Sequence, residues 1–376
     1  MIITRRALRR ITFFAGSSLV AMALLAPGPY GLGVRAAAEK LPQRLTNQEF
    51  WKLATDFSEP DGTFHSENLV SNEAQFQTVL PTLVRTAKPG RAYVGVGSEQ
   101  NFTYMAALRP EIAFIVDIRR GNLDLHLMYK ALFELSTDRA DFVSRLFSRK
   151  RPAGLTATST AAQIFAAYAD VPASQALYDQ NLKAIDAHLV TTHGFGLSKG
   201  DLNGIEFVYN AMFTSGPAIH YQLTTGGGGG FGRGAGGGFP TYADLMVATD
   251  GNGRSWSYLA SEDSFKFLKD IESRNMVVPV VGNFGGPKAL RAVGAYLKQK
   301  ETIISAFYAS NVEQYLRQDN IWGNFCGNVT AMPIDATTTF IRSARGGFAG
   351  QRNFSPGFSA ELRPVAGDIA VCATGR

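Results

Sequence analysis

The sequence predicts an α/β chain organised around one doubly wound, largely parallel sheet. Three observations point there. Glu111 to Ile118 (EIAFIVDI) and Met276 to Val281 (MVVPVV) hold continuous apolar runs, the mark of strands buried on both faces. Each run is followed by a stretch that repeats apolar residues at helical spacing. Between the two blocks lies a long segment of helical periodicity, so the sheet reads as interrupted by an insertion rather than duplicated.

The elements follow in order. Ser71 to Thr86 (SNEAQFQTVLPTLVRT) reads as a helix with Ser71 as N-cap, and Lys88-Pro89-Gly90 as a turn. Arg91 to Val96 is a short β-rich run, Phe102 to Leu108 a helix, Glu111 to Ile118 the next strand and Asn122 to Leu135 the next helix: a βαβ unit. Residues 139–210 carry Ala-rich periodic stretches and predict a helical insertion. Residues 224–238 are glycine-dominated and predict a flexible loop. After the strand at Met276 to Val281, Gly282 to Gly286 makes a turn. Pro287 to Lys300 reads as a helix with proline at its first position, Thr302 to Tyr308 as a strand, and Ser310 to Arg317 as the start of another helix. Val329 to Met332 and Thr338 to Ile341 are β-rich and could extend the sheet.

The chain of 376 residues has a net charge of +6, which alone would hint at nucleic acid. The charge is unevenly placed. Arg5, Arg6, Arg9, Arg10 and Arg35 fall in residues 1–38 beside no acid, so of 37 bases and 31 acids the remainder keeps 32 and 31. A near-neutral body argues against nucleic acid as a partner. The first 38 residues instead read as an export signal: a basic start (TRRALRR), an apolar run from Ile11 to Ala26, and Ala36-Ala37-Ala38 before Glu39. Thr4-Arg5-Arg6-Ala7-Leu8 resembles the twin-arginine pattern. The expectation is a single domain from residue 39 to 376 working outside the cytoplasm, in the periplasm. A membrane would be met only through an uncleaved signal. Cys326 and Cys372 are the two cysteines; either a disulfide or a free buried pair is open. With no CxxC or Cys/His cluster, no metal site is expected.

The candidate site is Tyr93 to Phe102 (YVGVGSEQNF). Gly95 and Gly97 leave a strand together, and a glycine there lets backbone approach a ligand closely. A helix starting just after would turn its positive end toward the same place. Asp117 ends the following strand about 20 residues on, the spacing at which a carboxylate takes hydrogen bonds from ribose hydroxyls. In a doubly wound sheet such groups meet beyond the carboxyl ends of the strands.

Residues 71–135 resemble the N-terminal half of a class I S-adenosylmethionine-dependent methyltransferase domain, with its Rossmann-like sheet. The leading helix, the Pro-Gly turn, the strand into Gly95-Val96-Gly97 and the strand-end Asp117 stand in family order. VVPVVGNF and TIISAFY are similar to later strands. GVGSEQNFTYMAALRP and IVDIRRGNLDLHLMYKALFELS also resemble an uncharacterised bacterial methyltransferase-like family. The resemblance implies S-adenosylmethionine as cofactor. Gly95, Gly97, Ser98, Glu99, Gln100 and Asn101 would border its methionine part. Asp117 would hold the ribose, Ile118 would lie against adenine, and Asn283 would face the methyl acceptor. Two positions depart from the pattern: Tyr93 stands where the family has an acid, and Glu99 where it often has a third glycine. Glu99 could replace the missing carboxylate or repel the cofactor's own.

Two other readings stay open: an exported, non-catalytic binding protein that keeps the fold, and an NAD(P)-dependent oxidoreductase in which Arg119 or Arg120 reads a phosphate. His126 reads as a core or helix-surface histidine. His188 and His193 stand five apart, off the i, i+4 ligand spacing, and His65 and His220 are isolated. Asp124, Glu134 and Asp138 read as solvated helix faces. The run Arg145 to Arg151 reads as a basic helix end rather than an RNA patch.

Overall fold

Six strands, β1 (Ala92–Gly95), β2 (Ile112–Asp117), β3 (Val277–Val281), β4 (Ile304–Ser310), β5 (Thr339–Arg345) and β6 (Phe358–Pro364), form one sheet in the order β3-β2-β1-β4-β5-β6. The first five run parallel and β6 is antiparallel to β5. The computed structural model describes residues 40–221, 239–345, 358–365 and 367. The predicted export signal and the glycine-dominated loop, residues 224–238, lie outside them. The arrangement is α/β and compatible with a Rossmann-like sheet. β1, β2 and β3 are buried at every position, so both of their faces are covered, as their unbroken apolar runs require.

Ahead of the sheet come α1 (Asn47–Asp56), a 3₁₀ turn (Phe76–Val79) and α2 (Leu80–Thr86); α3 (Gln100–Leu108) joins β1 to β2. α4 (Arg120–Leu135) packs on β2 and β3 and opens the insertion, which continues through α5 (Arg139–Phe147), α6 (Ala161–Tyr168), α7 (Gln175–Ala187), a π-helical turn (His188–Thr192) and α8 (Lys199–Ser215). α9 (Tyr242–Val247) and α10 (Glu262–Ser273) lead back to β3. α11 (Ala289–Gln299) connects β3 to β4, and α12 (Val312–Gln318) with α13 (Trp322–Thr330) connect β4 to β5. No helix among the described residues is long and apolar enough to cross a membrane.

The elements depart from expectation in four places. The helix expected from Ser71 starts later, because Pro81 sits in the first turn of α2 and the 3₁₀ turn takes up the residues ahead of it. Ser71 is a buried hydrogen-bonding residue and caps nothing. Pro287 stands one residue before the N-cap Lys288 of α11, not at its first position. Val329 to Met332 is not β: Val329 and Thr330 close α13, whose buried Phe325, Cys326 and Val329 share a helical face. β6 was not anticipated. Cys326 is disulfide-bonded; Cys372 lies outside the described residues.

Candidate functional site at the strand ends

The order reverses between β1 and β4, and a cavity of about 470 Å³ opens there beyond the carboxyl ends of β1 to β4. Its floor is Val96-Gly97-Ser98 and Gln100 after β1, Asp117 to Arg119 after β2, Gly282 to Phe284 after β3, and Tyr308 and Ser310 on β4. One wall is the start of α12, including Tyr315. A second, adjoining wall comes from the segment between α1 and α2 and includes Phe64 and His65, whose rings group with Tyr315.

That second wall is strapped across the strand ends by backbone bonds. Glu59 N–H donates to Val281 O at 2.8 Å and Gly62 N–H to Ile118 O at 2.8 Å. Asp61 Oδ1 accepts from Arg120 N–H at 2.6 Å, and Arg119 Nη1 donates to Glu67 O. No periodicity marks this segment in the sequence, because its contacts are to the sheet and not to itself.

The β1–α3 turn is fastened from behind. Asn101 Nδ2 donates to Val96 O at 2.9 Å and Ser98 O at 2.8 Å, while its Oδ1 accepts from Tyr93 OH at 2.8 Å. Buried His126 donates from Nε2 to Gly97 O at 2.8 Å. Burial pushes its pKa down to about 4, against the hydrogen bond to Gly97, so the ring is neutral near pH 7. The two glycines therefore differ. Gly97, at φ +79°, needs glycine's conformational freedom and faces the cavity. Gly95 lies behind it: a methyl group there would overlap Asn101 Oδ1 and reach within 2.9 Å of the Tyr93 ring. Tyr93, standing where an acid was expected, orients Asn101.

The nine candidate residues divide accordingly. Gly97, Ser98, Gln100, Asp117, Ile118 and Asn283 line the cavity. Gly95, Glu99 and Asn101 do not, and their assignment to ligand contact is corrected. Glu99 is fully buried, with Oε1 accepting from Ser71 N–H at 3.1 Å and Oε2 unpartnered. Burial raises its pKa to about 7. It does not line the cavity, so it offers no direct contact to a ligand there.

Asp117 is 6 % exposed and ends β2 beside Gly282, whose N–H donates to Asp117 O at 2.7 Å. Its Oδ1 accepts from Arg119 N–H at 3.0 Å and meets Arg119 Nε at 3.3 Å. Oδ2 takes no protein hydrogen bond among the described residues. Arg119 lines the cavity with a buried Nη2 that has no partner. Arg120 points elsewhere, pairing with Asp201 at 2.8 Å.

The β3–α11 turn, Gly282 to Lys288, resembles an anion nest but is filled by the protein. Glu59 Oε1 accepts from Lys288 N–H at 2.8 Å and Ala289 N–H at 2.9 Å, and Oε2 from Asn283 N–H at 3.1 Å. Asn283 Oδ1 accepts from Gly285 N–H at 2.9 Å, and the residue lines the cavity. Below the floor, buried Glu73 accepts from Gln100 Nε2 at 2.9 Å, Tyr308 OH at 2.8 Å and Ser310 Oγ at 2.9 Å.

Residues 68–357 match a family described as a domain of unknown function, DUF7790. The chain belongs to that family. No curated protein matches the chain. The matched span begins inside the strap at Asn68 and takes in β1 to β5, so it includes most of the cavity; Glu59 and Phe64-His65 precede it.

The remaining candidates of this DUF7790 chain sort by burial. His126 is the core histidine expected. Asp124 is 3 % exposed, and burial with the nearby Asp201 pushes it up to about 8, because α8 packs Gly204 against it. Glu134 is half-buried, its side chain 9 % exposed. Neither is the solvated helix face expected, because the insertion covers that side of α4. Asp138 caps α5 and pairs with Arg151 at 2.8 Å. In the basic run, Arg145 pairs with Asp141 and Arg151 with Asp138, and Arg145 stands in the last turn of α5.

Proposed function

We propose that the cavity binds a nucleoside-type ligand, S-adenosylmethionine first among them, and that the chain is a methyltransferase-like protein whose methyl acceptor is unassigned. The observation that carries this reading is the meeting of Gly97 and Asp117 on one cavity at the order reversal of the sheet. Asp117 suits a ribose diol, since Oδ2 keeps its acceptor capacity while Oδ1 is held by Arg119. Gly97 lets a ligand approach the backbone. Arg119 lines the cavity and brings a positive charge to it, which the carboxylate of a methionine moiety would meet. The cofactor, when bound, supplies the methyl group; the protein's part is to orient it and the acceptor. Export through residues 1–38 belongs to the same proposal.

Arg119 also favours a second reading, an NADP-type ligand whose 2′-phosphate it would bind beside the ribose carboxylate. Calorimetric titration of the full chain with S-adenosylmethionine, S-adenosylhomocysteine, NAD and NADP separates the two. Binding of the first pair alone supports the methyltransferase-like reading, and Asp117→Ala is then expected to weaken it by roughly 1–3 kcal/mol. Binding of NADP alone, lost in Arg119→Ala, supports the second. No binding by any of the four would overturn both and leave Tyr93 to Phe102 a structural turn.

A further inference from the structure

A second cluster stands far from the cavity. Arg120 and Glu134 lie at opposite ends of the 16-residue α4, about 20 Å apart at 1.5 Å per residue. At the far end His188 Nε2 lies 2.7 Å and His193 Nε2 2.8 Å from the same oxygen, Glu134 Oε2. Their five-residue spacing, wrong for an α-helix, is right for the π-helical turn they bracket. His193 N–H donates to His188 O at 2.9 Å, the i→i+5 bond of that turn, and this bond sets both rings on one side.

The surrounding hydrogen bonds decide where the protons are. Leu45 O can only accept, so the Asn275 atom 3.0 Å from it is Nδ2. The same Nδ2 donates to Asn47 at 2.9 Å, which makes that Asn47 atom Oδ1. Asn47 Oδ1 in turn lies 3.0 Å from His193 Nδ1, so Nδ1 carries the hydrogen. With Nδ1 protonated, Nε2 of His193 can meet the carboxylate oxygen 2.8 Å away in two ways: through a second proton on the ring, or through a metal cation that both atoms ligate. Lys130 is on the other side: its Nζ is 2.8 Å from Glu134 Oε1 and donates to Glu272 O.

We propose that Glu134, His188 and His193 hold a divalent transition-metal ion of the zinc class. Their three ligand atoms lie within 4.8 Å of one another, and two imidazoles with one carboxylate form a donor set that zinc accepts. The outer partners that orient such ligands are present. Asn47 fixes the His193 tautomer, Lys130 anchors the second oxygen of Glu134, and Phe195 stacks on the His193 ring at 4.8 Å. The His188 side chain is 17 % exposed against 7 % for His193, so a fourth position opens to water on the His188 side.

The test is calorimetric titration of the chelator-treated full chain with zinc chloride at pH 7.5, and with cobalt(II) followed by its visible absorption. One equivalent of tight binding is expected, with the absorption of four-coordinate cobalt. His188→Ala and His193→Ala should weaken binding by more than the ~10–100-fold that loss of an outer partner costs, and Asn47→Leu by about that amount. His188→Gln, at the more exposed position, serves if His193→Ala does not fold. No saturable uptake of either metal by the folded wild-type chain would overturn the proposal and make His193 an imidazolium paired with Glu134. Uptake unchanged in the His188 variants would overturn it equally.

Discussion

The two strand–glycine–helix turns at the carboxyl edge of this sheet look alike in sequence and do opposite things. After β1, the turn into α3 is held from behind by Asn101 and His126 and shows Gly97 to an open cavity. After β3, the turn into α11 gathers three N–H groups onto Glu59 of the same chain. Each turn also has its own carboxyl group. Glu59 is met by donors, and Glu99 is buried with one good donor and an unpartnered oxygen. A glycine-rich turn is thus available to a ligand only where the rest of the chain leaves it uncovered.

The strongest way to break the comparison is Glu59→Ala. Three hydrogen bonds to a charged acceptor go, and the end of α11 is left open. A loss of about 4 kcal/mol is expected in chemical denaturation. The variant should regain part of that in sulfate, which can enter the vacated nest. The wild-type chain should gain less from the same salt. Equal gains in both proteins would mean that Glu59 does not fill an anion site.

Glu99 gives the next effect, through pH. Its folded pKa, about 7, lies above its ordinary 4.5, so between those values the folded chain holds a proton that the unfolded chain has released. The associated stability is fully present below about pH 4.5 and is lost as pH rises to about 7, roughly 3 kcal/mol in all. Denaturation of wild type and Glu99→Gln at pH 5 and pH 8 reads this directly: the fall should be smaller in the variant. Asp124 and Glu272, both pushed up to about 8 chiefly by burial, add a fall common to both proteins.

What was legible in the sequence follows from which interactions are local. β2 and β3 announced themselves because strands buried on both faces must be apolar throughout. Gly97 and Asp117 were legible because the turn and strand end that place them are short and contiguous. The strap from Glu59 to Asn68 was not, since it is shaped by bonds to β2 and β3 more than 50 residues away in the chain. Glu134 was misread for the same reason, because the helices that cover it lie after it in the chain. The spacing rule applied to His188 and His193 assumes an α-helix, whereas the turn between them is π and brings both rings onto Glu134.

The glycines of the β1–α3 turn sharpen the comparison at lower amplitude. Gly95→Ala forces a methyl group into Asn101 Oδ1 and Tyr93, groups already committed to each other. A loss of roughly 2 kcal/mol is expected, from overpacking and a damaged buried bond. Gly97→Ala meets nothing closer than Asn68 Nδ2 at 3.4 Å, so only its positive φ is at stake. That costs about 1 kcal/mol. The ranking reverses for the ligand, since the Gly97 methyl group stands at the cavity and the Gly95 methyl group behind it. Thermal melts should place Gly95→Ala below Gly97→Ala, and titration with whichever nucleotide binds should weaken more for Gly97→Ala. If Gly95→Ala impairs binding more than Gly97→Ala at temperatures where both are folded, then the turn reads its ligand through Asn101, and the division between its open front and its fastened back is wrong.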